Sequence, residues 1–68
     1  MNPDELQKAR RNLGLTQNQL GRLLDTDGQS VRRLEMPDDR STSRKPAPRM
    51  IRLIIAYLAG YRPEDWPN

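Results

Sequence analysis

Cysteine, histidine and phenylalanine are all missing from this chain of 68 residues. Without cysteine there is no disulfide and no thiol nucleophile; without histidine there is no imidazole base, and the two absences together remove the usual zinc ligand sets. A reducing, cytoplasmic setting is expected, with no cofactor and no metal. Long apolar runs are also missing. The longest, Leu53 to Ala59, falls far short of the roughly 20 residues a membrane helix needs, and the first residues have no signal-peptide pattern. The expectation is a soluble protein that is not exported and has no membrane partner. Aromatic residues are few, two Tyr and one Trp, which leaves little from which to build stacking platforms for unpaired bases.

What is present is charge, unevenly placed. The formal net charge is +3. Residues 28 to 52 hold seven Arg or Lys against three acids, whereas residues 1 to 27 hold four of each. The basic stretch points to a polyanionic partner. At this length one domain over residues 1–68 is expected, with a core contributing only about 3 to 5 kcal/mol, so that self-association would help it. An enzyme is not expected: the acids Asp38, Asp39, Glu64 and Asp65 fall in loop-like sequence, with no glycine-rich phosphate cradle to work beside.

Helix signals follow one another along the chain. Asn2 as N-cap, Pro3 in the first turn and the acids Asp4 and Glu5 open a first helix with Leu6, Ala9 and Leu13 inward, closed by Gly14. Thr16 and Gln19 form a capping box for a second helix, with Leu20, Leu23 and Leu24 on one face, running to about Asp25. Gly21 lies within it, and a mid-helix glycine suggests a close crossing that a larger side chain would obstruct. Asp27 caps a third helix, with Val31 and Leu34 inward and Gly28, Gln29, Arg32 and Arg33 outward. Two short helices joined by a tight turn over about 16–35 have the spacing that presents a second helix to a DNA major groove.

Residues 36–47, rich in proline and mixed charge, read as a loop. A last helix over about 48–60 carries two apolar stripes. Ile51, Ile54, Ile55 and Leu58 are expected to face the core; Met50, Leu53 and Tyr57, extended by Tyr61, are expected to form a dimer interface. The alternative, in which the first helix and the turn of Pro63 to Trp66 cover that second stripe within one molecule, stays open.

The ordered set Leu13-Gly14-Leu15-Thr16-Gln17, Leu20-Gly21, Leu24, Ser30-Val31 and Leu34-Glu35 resembles the helix-turn-helix of XRE-type, Cro and lambdoid phage repressors, over about residues 5 to 36. The resemblance implies an all-α compact bundle of about five short helices, with residues 17 to 24 across the phosphate backbone and 28 to 35 in the groove. It implies base contacts for Gln29, Arg33 and Gly28; Gln suits adenine and Arg suits guanine, whereas Gly28 offers no side chain. Backbone contacts fall to Gln17, Asn18, Ser30 and Arg32, and the hydroxyls and cations of Arg40, Ser43, Arg44 and Lys45 suit phosphate as well. One departure is Asp25-Thr26 in the turn, where the family prefers glycine and then an apolar residue; aspartate tolerates the left-handed conformation better than most residues. Asp25 and Asp27 also put negative charge near the expected phosphates, which weakens affinity unless they act as local caps.

The function expected is a sequence-specific regulator binding double-stranded DNA, a homodimeric repressor of phage or mobile-element type on an inverted repeat, located in the cytoplasm with the nucleoid. The alternative is a regulator such as an antitoxin or anti-CRISPR-associated autoregulator that also binds a protein partner.

Overall fold

The computed structural model describes residues 1–37 and 45–67. Four helices occur among them, with no strand: α1 (Pro3–Asn12), α2 (Gln17–Leu23), α3 (Gly28–Leu34) and α4 (Pro48–Leu58). That is one helix fewer than the expected five. Pro63 and Pro67 limit the described tail after Gly60 to a short turn, because proline lacks the amide a helix interior requires.

Each start has a local cause. Asn2 accepts from the Glu5 amide at 2.8 Å while the Glu5 carboxylate accepts from the Asn2 amide at 3.0 Å. Thr16 and Gln19 repeat the arrangement at α2, at 3.1 and 2.9 Å. Such reciprocal pairs satisfy two amides that the first turn leaves without partners. Gly14, with φ of +72°, turns the chain out of α1 in a conformation that costs other residues more. The helix α2 ends earlier than the sequence suggests, because Asp25 adopts φ of +59° and the Thr26 amide turns back to donate to the Gly21 carbonyl at 2.7 Å.

Around the core, α1 contributes Leu6 and Ala9, α2 contributes Leu20 and Leu23, and α3 contributes Val31 and Leu34, with Leu15 and Leu24 from the connecting turns. The expected division of α4 holds for Ile54 but not for Ile55, Leu58 and Tyr57. Ile54 and Tyr57 are buried with Met50 and Leu53 packed against the same core, whereas Ile55 and Leu58 are 54% and 46% exposed. Tyr57, expected at a dimer interface, is 2% exposed and belongs to the monomer. The two stripes adjoin at Ile54 and each covers a sector of roughly 100°, so helical periodicity alone cannot choose between them. The tail chooses: Trp66 meets the Tyr57 ring edge-on at 5.2 Å, and Arg62 stacks over Trp66 at 4.2 Å while donating to the Tyr57 and Tyr61 carbonyls at 2.7 and 2.9 Å. Burial raises the pKa of the Tyr57 hydroxyl above its ordinary value, and the neighbouring charges of Asp65, Tyr61 and Asp25 add to the effect.

Candidate nucleic-acid interface

The unit formed by α2, its turn and α3 is drawn together at Gly21. A Cβ on that residue would lie 2.5 Å from the Asp27 carbonyl carbon and 2.6 Å from its oxygen, closer than any side chain can approach backbone. The crossing expected of this glycine is therefore between α2 and the residue that caps α3. Asp27 accepts from the Ser30 amide at 2.7 Å. Its carboxyl is held below the usual carboxylate range by that bond first, then by the Ser30 hydroxyl, with the Arg33 charge contributing. The Asp27 charge is thus engaged at the start of α3.

From this base α3 turns Val31, at 0% exposure, and Leu34, at 5%, into the core. Gln29 and Arg32 are exposed, and Ser30 and Arg33 are half-buried at the edge. Gly28, expected to face outward, is buried instead. A Cβ there would collide with the Asn18 side-chain amide and come within 3.1 Å of the Asn18 backbone nitrogen. The missing side chain lets α2 and α3 approach and leaves nothing to reach a base. Asn18 itself is exposed.

Gln17 is half-buried, and its amide donates to Glu35 at 3.2 Å. That contact belongs to a cluster the sequence reading missed. Arg10 donates to both Glu35 oxygens, from Nε at 2.6 Å and from Nη2 at 3.1 Å, and to the Leu15 carbonyl at 3.0 Å. The pair ties α1 to the C-cap of α3, and Gln17 adds the start of α2. A signal for it was present: an acid at a helix C-terminus opposes the helix dipole, and such a local conflict implies a cation elsewhere in the fold.

Lys45 is exposed and lines a hollow together with Thr26, Ser30 and Arg33. Arg40, Ser43 and Arg44 lie outside the described residues. Met50 and Leu53 are half-buried and pack against the core. Among the described residues no group of three acidic side chains is placed to hold a metal ion, and no helix is long and apolar enough to cross a membrane. Comparison with protein-family models, curated proteins and solved structures finds no match for this chain.

Proposed function

We propose that the chain is a helix-turn-helix regulator that binds double-stranded DNA in a sequence-specific way, with α2 across the phosphate backbone and α3 in the major groove. The observation that carries the reading is the division of α3. Its apolar residues are fully withdrawn into the core, while Gln29 and Arg32 face water and Arg33 stands at the rim. Gln29 and Arg33 are assigned to base edges, for which their paired donors and acceptors are suited. Arg32, Asn18, Ser30 and Lys45 are assigned to phosphates; Gln17 has one amide hydrogen on Glu35 and a second left for a phosphate. Two copies on an inverted repeat complete the proposal, and with Tyr57 inside the monomer the apolar surface on and just after α4 available for that contact is Ile55, Leu58 and Tyr61.

The test is fluorescence anisotropy with the DNA immediately upstream of the coding sequence, against scrambled DNA of equal length, at two salt concentrations. Selective binding that weakens with salt but keeps its preference is the expected result. Equal, weak binding to both DNAs, lost together as salt rises, would reduce the site to a basic surface.

A further inference from the structure

Between the α2–α3 turn, the edge of α3 and the first turn of α4 lies a hollow of about 300 Å3. Its lining has a mixed character. Thr26 and Ser30 bring hydroxyls, Arg33 and Lys45 bring positive charge, and Leu34, Ala47 and Met50 bring hydrocarbon; among the described residues no acid lines it. The volume lies at the lower end of the range for small-molecule sites, which combine an apolar wall with a few convergent polar groups.

Arg33 gives the hollow its meaning. Two arginines among the described residues are half-buried, Arg10 and Arg33. Arg10 has three acceptor contacts, two on Glu35 and one on the Leu15 carbonyl. Arg33 has no hydrogen-bond acceptor among the described residues; it acts on Asp27 by charge alone, and its nitrogens are open to solvent, so its donors are free to meet a ligand. A DNA phosphate would engage the cations and hydroxyls and leave Ala47 and Met50 facing solvent. A carboxylate on an apolar body uses both halves: its two oxygens match the guanidinium fork, and an aromatic ring suits the adaptable Met50 thioether.

We propose that this hollow binds a small organic carboxylate with an apolar, ring-sized body, and that the ligand antagonises DNA binding. The ligand half stands on the cavity alone; the regulatory half rests on the DNA-binding reading, because an Arg33 guanidinium held by a carboxylate is withdrawn from a base. The coupling is reciprocal, so DNA disfavours the ligand by the same factor.

The two halves are tested separately. Amide chemical shifts of the free protein are followed during titration with phenylacetate, acetate and benzyl alcohol. Phenylacetate is expected to saturate, to perturb Thr26, Ser30, Ala47 and Met50, and to bind about tenfold tighter than either fragment, as burial of its ring adds to the charge contact. Scattered shifts, or phenylacetate no tighter than acetate, would overturn the site. Ala47→Leu fills the apolar end at a residue that makes no side-chain cap to α4; it should abolish phenylacetate binding and leave DNA affinity unchanged. If Ala47→Leu does not fold, Lys45→Gln at the exposed rim must weaken phenylacetate binding, and unchanged binding overturns the site. For regulation, anisotropy with upstream DNA is repeated in protein saturated with phenylacetate. A loss of DNA affinity of about tenfold is expected; unchanged affinity overturns the antagonism and leaves the cavity result standing. A protein that binds no DNA at all would overturn the functional reading without touching the titration.

Discussion

The Arg10 guanidinium holds both oxygens of Glu35, at 2.6 and 3.1 Å, with the two side chains only 12% and 3% exposed. It is the one ion pair among the described residues that joins distant segments; the other, Lys8 to Asp4, lies along one exposed turn of α1. Removing one member of a buried pair leaves the other charge without compensation and costs about 3 kcal/mol or more. Against a domain of a few kcal/mol, Arg10→Ala should be largely unfolded in urea concentrations the parent tolerates. Arg10→Met with Glu35→Leu should recover most of the loss, since an apolar pair of similar volume often replaces a buried ion pair without penalty. A single-variant loss below about 1 kcal/mol would mean that solvent reaches the pair far more than its burial indicates.

Gly21→Ala sets two effects against each other. Helix propensity favours alanine by about 1 kcal/mol, but the added carbon would meet the Asp27 backbone at 2.5 Å, and overpacking of this kind typically costs about 1 to 3 kcal/mol. The contact is with backbone rather than a movable side-chain end, so the steric effect wins and the melting temperature should fall. An unchanged or higher melting temperature would show that the turn can shift to make room.

The two faces of α4 can be separated by mutation. Tyr57→Ala removes a ring buried against Trp66 and should cost about 3 kcal/mol or more. Leu58→Gln, next in sequence but 46% exposed, should stay within about 0.5 kcal/mol for the dilute monomer. If the outer face mediates pairing, sedimentation at high concentration should shift for Leu58→Gln; an unchanged sedimentation coefficient would place the contact elsewhere.

The acid limb of stability should carry the signature of Asp27. Its folded pKa lies below the ordinary carboxylate value of 3.8 because the Ser30 amide and hydroxyl, then Arg33, favour the ionised form. A depressed carboxyl pKa contributes stability that is present above the unfolded value and is lost as pH falls through the folded one. Asp27→Asn keeps a competent cap without the charge. Melting curves should therefore separate the two proteins near neutral pH and bring them together below pH 3.8. A gap that stays constant across that range would exclude Asp27 from the acid response.

How much of this was legible in the sequence depends on how local the cause is. The caps at Asn2, Thr16 and Asp27 are decided within four residues, and each was identified. Gly21 could be recognised as an exception to helix propensity, and its partner then followed from the fold. The choice of stripe on α4 could not be read, because the two sectors adjoin at Ile54 and the choice depends on Trp66, nine residues after Tyr57, folding back across it. Gly28 was weighed for what it offers to the outside and Glu35 was given no role of its own, yet both are used inside, Glu35 by Arg10 and Gly28 by the approach of Asn18.

Arg33 and Arg32 are neighbours with different environments, half-buried and exposed, and the DNA-binding proposal gives them different work. An arginine that reads guanine has two fixed acceptors, and its loss should cost about 1 to 3 kcal/mol, concentrated at one base-pair position of the operator. An arginine on a phosphate contributes alike to every sequence, and its loss should reduce the steepness of the salt dependence by about one charge. Arg33→Ala should therefore relax discrimination at one position of a substitution series along the operator, while Arg32→Ala should lower all affinities together and flatten the salt plot. The reverse pattern would rotate α3 in the groove and make Arg32 the reader. A uniform loss for both would leave α3 holding the backbone and shift base recognition towards Gln29.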